Sequence, residues 1–409
     1  MTELFIQEQG VKKEIALLEN GRLIEYYEEN TVDDNSQIRK EGNIYIGIIR
    51  NVLKGMQAAF VDIGTEKNAF IHLKDLLPKV DETKQQLPQE LDISQLVKPG
   101  DKILVQVKKD SNEKKGARVS THINLPSKYI ALMPNTDIIT VSQKIEDEKE
   151  RERLKKLAKE HLSEENGVIV RTSAENKTQE VIDDIAKTEA KWNSILETSV
   201  DPDKDESQLL YKSEDIVEKI LIDLVEKDLE RIVVNTKKLY DEMVKVLKSD
   251  KQYSKIKLEL MEKDNIFDTY DIEKQIQKSL NRKIWLRCGG FITIDKTEAL
   301  TAIDVNTGKY TGVKDAEKTI FRVNKEATIE IAKQLRLRDI GGVIIIDYID
   351  MADEEDKNKI ENLLKEELKK DRTKTQVEGW TKLDLMELTR KHIWDFRTKS
   401  FENAKKEKI

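Results

Sequence analysis

The segment GGFITIDKTEALTAIDVNTGKYTG (Gly289–Gly312), followed after a helical stretch by QLRLRDIGGVIIIDYIDM (Gln334–Met351), decides how this chain reads. It holds two apolar strands, Ala299–Val305 and Val343–Ile349, and each delivers an aspartate, Asp304 and Asp347. Between them Glu317–Arg338 has helical spacing (Ile320, Val323, Ala327, Ile331, Leu335) and the length to cross back over a sheet. Strand–helix–strand in this order predicts neighbouring parallel strands with both aspartates at similar heights. A carboxylate inside an apolar strand is costly to bury unless it is paired or holds a metal. Together with the amide of Asn306 the pair offers only oxygen ligands, which suit Mg2+ or Mn2+ rather than zinc. The competing reading, that these aspartates cap helices or meet basic residues at strand ends, stays open on spacing alone.

Working outward, 409 residues are too many for one small core and predict several domains. A hydrophobic share of 38% permits folded domains, and 37% charged residues point to many solvated helix faces. The net charge of −7 argues against blanket electrostatic attraction to nucleic acid, so any RNA site is a local basic patch with salt-sensitive binding. The single cysteine, Cys288, excludes an intrachain disulfide and agrees with a reducing, cytoplasmic setting. The first residues do not read as a signal peptide, and no stretch has the 18 or so apolar residues needed to span a membrane.

Residues 3–29 alternate apolar and polar positions around Asn20-Gly21, a type I′ hairpin signal, and Thr31–Arg39 reads as a connection. From Gly42 to about Ile123, short strands separated by turns suit a small five-stranded barrel of the oligonucleotide-binding type. Phe60 and Phe70 fall on neighbouring strands, with Lys108, Lys109, Lys114, Lys115 and Arg118 nearby. Exposed aromatics beside cations stack unpaired bases; the alternative is that both phenylalanines are core. Pro78–Pro99 reads as a surface loop. Next, strands near Tyr129–Met133 and Gly167–Arg171 flank the charged helix Ile145–His161, and Thr178–Thr198 is helical. GVIVRTSA brings Arg171 and Thr172 to a strand end, a guanidinium beside a hydroxyl suited to a phosphate, although such a pair is usually without function. From Leu209 helix and strand alternate to Leu280, and beyond Lys283 two charged final helices are expected, Glu354–Lys370 and Lys382–Lys391. The four histidines lack metal-ligand spacing, and Trp192, Trp285, Trp380 and Trp394 read as core. Asp350 reads either as a helix cap or as a neighbour of the acidic pair, while Asp295, Lys296 and Glu298 could support it from behind.

The wording AIDVNTGKYTG…QLRLRDIGGVIIIDYIDM, with its aspartates 43 positions apart, resembles the catalytic segment of the ribonuclease E/G family of bacterial endoribonucleases. The run GNIYIGIIRNVLKGMQAAFVDIGTEKNAFIHLKDL is similar to the RNA-binding barrel of the ribosomal-protein S-one type in that family. The resemblance covers Asn43–Lys391 and implies a multidomain α/β and β architecture. An RNase-H-like subdomain (1–38 and 209–281) would receive the barrel (39–125) and a 5′-sensor (126–208), with a DNase-I-like catalytic domain (282–400) and a tail (401–409) following. It makes Asp304 and Asp347 the magnesium ligands and gives Asn306 a part in placing the bound group. It also makes Phe60, Phe70 and Lys115 the grip on single-stranded RNA, and Arg171, Thr172 and Lys374 the pocket for a 5′-monophosphate. Arginine is usual at the Lys374 position, and lysine keeps the charge without the bidentate fork. The family's C-P-x-C pair, which shares zinc between subunits, has no counterpart in Leu383–Ile409. Zinc is therefore not expected; either the homodimer the family implies forms without it, or the sequence stops before the motif.

The expectation is a Mg2+-dependent endoribonuclease that cuts single-stranded RNA (ribosomal RNA precursors, messenger RNA or both) to 5′-phosphate and 3′-hydroxyl ends. The barrel is expected to hold unpaired RNA at the active site, and a 5′-monophosphate to stimulate cutting. Two other classes remain on the sequence: an RNA-binding assembly factor with little nuclease activity, and a magnesium phosphodiesterase for small nucleotides.

Overall fold

The computed structural model describes residues 1–30, 40–76, 92–111, 115–197, 206–224, 229–248, 251–308, 316–371 and 373–391. The expected connection Thr31–Arg39, most of the loop Pro78–Pro99, Lys114, the Lys309–Gly312 end of the first motif, His392, Trp394 and the tail 401–409 lie outside them.

Three strands open the chain: β1 (Thr2–Gln9), β2 (Lys12–Glu19) and β3 (Arg22–Asn30). The barrel segment holds β4 (Ile44–Leu53), β5 (Ala58–Asp62), β6 (Ala69–His72), α1 (Leu73–Leu76), β7 (Lys102–Lys109) and β8 (Arg118–Ser120). Then come β9 (Leu125–Pro126), β10 (Ile130–Pro134), β11 (Ile139–Val141), α2 (Glu148–His161), β12 (Asn166–Val170), α3 (Gln179–Glu197), β13 (Gln208–Tyr211) and α4 (Ile216–Asp223). The chain continues through β14 (Leu229–Val234), α5 (Lys237–Lys248), β15 (Lys257–Leu260), α6 (Ile266–Thr269) and α7 (Ile272–Ser279). It ends with β16 (Lys283–Trp285), β17 (Phe291–Lys296), β18 (Leu300–Asn306), α8 (Ala316–Leu337), β19 (Gly342–Asp347), α9 (Glu354–Lys369), β20 (Thr375–Trp380) and β21 (Leu385–Arg390).

Two compact units share this chain, one made of Met1–Val32 with Lys227–Ile409 and the other of Asp33–Glu226. In the first unit, one sheet has the order β15-β14-β1-β2-β3. Asn20 and Gly21 both have positive φ (51° and 72°), as the type I′ turn between β2 and β3 demands. β1 pairs parallel to β14 and antiparallel to β2, so the opening hairpin is completed by strands more than two hundred residues later. Phe5, Ala16, Leu23, Val233, Phe267 and Ile272 form the core beneath it.

The second sheet of this unit, β16-β17-β18-β19-β21-β20, carries the candidate site. Strands β17, β18, β19 and β21 alternate between its two faces. Ile292, Ile294, Ile303, Val305, Ile344, Ile346, Met386 and Leu388 point to a core closed by Val323, Ala327, Ile331 and Leu335 of α8 and Ile360, Leu364 and Leu368 of α9. The intervening residues occupy the other face, where Asp304 and Asp347 are exposed. Lys382–Lys391 is not the expected final helix. Leu385–Arg390 is β21, whose alternating burial (Met386, Leu388 and Arg390 inward) has the two-residue period of a strand; the many charges hid that alternation.

In the second unit β4 pairs with both β5 and β7, closing the five strands β4-β5-β6-β8-β7 into a barrel consistent with an oligonucleotide-binding fold. Tyr45, Ile49, Val61, Ile71, Val105 and Val119 fill it. β13 pairs with the start of β4, so Gln208–Tyr211 belongs with the barrel sheet. A separate sheet, β11-β12-β10-β9, is covered by α2 and α3 through Leu154, Ala158, Val181, Ile185 and Trp192.

Candidate active site

β18 and β19 run parallel, and their register sets Asp304 directly opposite Asp347. Each aspartate takes an outward position in an inward–outward alternation, so both carboxylates emerge on the open face, away from α8 and α9. Neither forms an ion pair with an arginine or lysine among the described residues. Arg282, which feels the Asp304 charge, is held by Asp295 through Nε at 2.5 Å and Nη2 at 2.6 Å. Asp295, expected as a supporting group, therefore serves as Arg282's partner. Asn306 Nδ2 donates to Asp304 Oδ2 at 2.6 Å, so the three residues named from the sequence converge.

The electrostatics show what the pair lacks. Partial burial, then the neighbouring carboxylates of Asp304 and Asp350, push the Asp347 carboxyl above the usual aspartate range. Asp350 is thus an acidic neighbour. The cap of α9 is Asp353, whose side chain accepts from Glu355 N at 2.8 Å. Two exposed carboxylates facing each other, all-oxygen in donor character and without a protein cation between them, fit a hard divalent ion. Among the described residues no three His, Cys, Asp or Glu side chains gather as a metal-binding group.

The end of β19 is fixed by two buried polar side chains that sequence reasoning missed. Asn324 of α8 donates through Nδ2 to Ile349 O at 2.8 Å and accepts from Ile349 N at 3.1 Å. Thr328 Oγ1 lies 2.9 Å from the Tyr348 hydroxyl. The helical spacing of Asn324 and Thr328 with Val323 and Ala327 was the available signal; both read as ordinary polar positions in the sequence. On the other side, Gly290 permits close approach, because a Cβ there would sit 2.8 Å from Asn306 O and 2.9 Å from Val323 Cγ1.

In the barrel, Phe60 and Phe70 are directly opposed on β5 and β6, with ring centroids 6.2 Å apart in an edge-to-face arrangement. They are half-buried, while Ala59, Val61, Ala69 and Ile71 beside them are core, so the rings are on the outer side of the barrel wall. Lys115 is exposed. Arg118, opposite Phe70 in the ladder, is tied to Asp75 at 2.9 Å. In the sheet of β9–β12, Arg171 follows β12, with Nη1 donating to Ser127 O at 2.7 Å and Nη2 to Asp223 Oδ1 at 2.5 Å. Thr172 Oγ1 is 3.0 Å from Ser142 Oγ. Arg171 and Thr172 follow each other at the end of β12; Lys374 is exposed in the other compact unit, just before β20.

An outward aromatic pair on a barrel is a composition that can stack unpaired bases, and two matched aspartates on an open sheet face are a donor set that can hold a hard cation. The model of the Ribonuclease E/G family matches residues 124–393. The chain is 40% identical over 395 residues to Ribonuclease G of Escherichia coli (strain K12), covering 95% of this chain and 79% of that protein. It is 40% identical over 395 residues to Ribonuclease G of Haemophilus influenzae, with the same coverage. It is 35% identical over 392 residues to Ribonuclease E of Nostoc sp., covering 93% of this chain and 56% of that protein. The chain belongs to the ribonuclease E/G family. It is an endoribonuclease.

Proposed function

We propose that the enzyme cuts single-stranded RNA by metal-assisted hydrolysis at Asp304 and Asp347, leaving 5′-phosphate and 3′-hydroxyl ends. The observation that carries this reading is the register pairing of two exposed carboxylates, neither of them ion-paired to an arginine among the described residues. Mg2+ (or Mn2+) held by Asp304 and Asp347 would supply positive charge against the phosphate and make water a better nucleophile at neutral pH. Asn306 holds the Asp304 carboxylate in place through its amide, and Asn324 and Thr328 fix the strand end that presents Asp347. Phe60 and Phe70 stack unpaired bases, and Lys115 meets the backbone. A 5′-monophosphate competes with Asp223 for the Arg171 guanidinium beside Thr172. The finer domain reading is an RNase-H-like subdomain around β1–β3, β14 and β15 and a DNase-I-like domain around β16–β21. A homodimer working in the cytoplasm on ribosomal RNA precursors and messenger RNA completes the proposal. Among the described residues no helix is long and apolar enough to cross a membrane.

The test compares cleavage of one AU-rich oligoribonucleotide carrying a 5′-monophosphate or a 5′-hydroxyl, with Mg2+ and with EDTA. Asp304→Asn and Asp347→Asn each abolish cutting while RNA binding survives. Cleavage at the wild-type rate by either variant refutes the assignment.

A further inference from the structure

Trp285 reads as core in the sequence, yet it is 61% exposed. Its neighbour Ile284 packs inward against the core of the sheet, and the alternation turns Trp285 to the open face. There it meets Phe291 edge-to-face, with centroids 5.3 Å apart. Lys283, two residues earlier on the same face, places Nζ 4.2 Å from the Trp285 ring and 3.5 Å from the Phe291 ring.

Register ties this cluster to the reaction centre. Trp285 pairs with Phe291, and Phe291 pairs with Asn306. One step along the strands, Lys283 pairs with Thr293, Thr293 with Asp304, and Asp304 with Asp347. Paired residues share a face, and strands are about 4.8 Å apart, so Phe291 is one strand and Trp285 two strands, roughly 10 Å, from Asn306.

We propose that Lys283, Trp285 and Phe291 form a stacking subsite for one unpaired RNA base beside the scissile phosphate. Aromatic faces beside a cation are the composition that holds single-stranded nucleic acid, the base on the ring and the backbone on the ammonium. The lysine also offsets the acidic pair, which would otherwise repel an incoming phosphodiester. A contact between two copies of the chain is disfavoured on the same composition, since lysine is depleted at the centre of protein interfaces. The subsite rests on the Asp304–Asp347 reading of the reaction centre, and its test is separable from that reading.

The experiment uses the full chain, with Trp285→Ala, Trp285→Phe and Lys283→Met, and a 5′-monophosphorylated AU-rich oligoribonucleotide as probe. Affinity is measured in EDTA, and kcat/KM with Mg2+. Trp285→Ala is expected to lose about 5- to 100-fold in affinity and in kcat/KM, and Trp285→Phe to recover all but roughly threefold. Lys283→Met is expected to weaken binding and flatten its salt dependence. An abasic nucleotide next to the cleavage site erases the difference between wild type and Trp285→Ala. Wild-type affinity and kcat/KM in Trp285→Ala overturn the proposal, as does altered sedimentation with unchanged RNA affinity, which would make this face a contact between copies. Because affinity in EDTA needs no cleavage, it judges the stacking subsite even if Asp304→Asn turns out to cut RNA.

Discussion

Removing one carboxylate from the acidic pair should make the metal-free protein slightly more stable while destroying its activity. The register sets Asp304 and Asp347 opposite each other on adjacent strands. At about 5 Å in a solvent-facing setting of effective dielectric 40–80, two unit charges repel by about 1–2 kcal/mol. Salt near 0.15 M, with a screening length of about 8 Å, reduces this to roughly 0.5–1 kcal/mol. Asp347→Asn removes that repulsion, so its Tm in EDTA should rise by about 1–4 °C. The raised pKa of Asp347 gives the same sign. The native state keeps the proton to higher pH than the unfolded chain, so metal-free stability increases as pH falls from above the folded pKa towards the ordinary aspartate value. With Mg2+ the order reverses: wild type gains about 2.7 kcal/mol at a hundredfold excess over Kd, whereas the variant gains little. Scanning calorimetry with and without Mg2+, alongside a cleavage assay, measures all three. A variant melting several degrees below wild type in EDTA, or a wild-type Tm indifferent to Mg2+, would refute the reasoning.

Arg390→Met should be strongly destabilising. Its fully buried guanidinium bonds Asp371 and Asp339, both at 2.8 Å, and the substitution takes this cation from two buried carboxylates, a loss of about 3–5 kcal/mol that calorimetry reads as a Tm drop of at least ~6 °C. Phe60→Ala and Phe70→Ala should each weaken RNA binding about 5- to 100-fold in fluorescence anisotropy without changing its salt slope, because stacking releases no counterions; Lys115→Ala should lower the slope instead. Asp223→Asn frees Arg171 from a partly exposed ion pair, so the preference for 5′-monophosphorylated over 5′-hydroxyl substrate should rise up to about fivefold, whereas Arg171→Ala should abolish it.

The pairing of the two aspartates was legible because its information is local to each strand. Alternation places Asp304 and Asp347 on one face, and the helical span Ala316–Leu337 returns the second strand parallel to the first. Phe60 and Phe70 fell on adjacent strands for the same reason, but whether they faced in or out depended on which alternate residues filled the barrel. Trp285 was misread because three-residue β16 is too short to declare a period; only its pairing with Phe291 reveals its face. β21 was misread as helix because charges at Glu387 and Arg390 mask a two-residue rhythm whose inward arginine is neutralised by distant aspartates. For Asn324 and Thr328 the helical spacing marks an inward face but not their partners, Ile349 and Tyr348, which the crossover brings to them.

The position of β1 between β2 and β14 has a consequence for how the protein is made. The contact of Glu8 N with Asn235 Oδ1 closes a span of 227 residues, so the opening hairpin leaves the ribosome long before its parallel neighbour is synthesised. Until then β1 presents an unsatisfied edge of amides and carbonyls, the kind of surface that recruits stray strands. The barrel and its companion sheet, complete within Asp33–Glu226, can fold meanwhile, whereas β14 can dock on the ribbon only once synthesis has reached it. Nascent chains halted before Leu229 are therefore expected to aggregate more readily than released full-length chains, a difference that a pelleting assay reads.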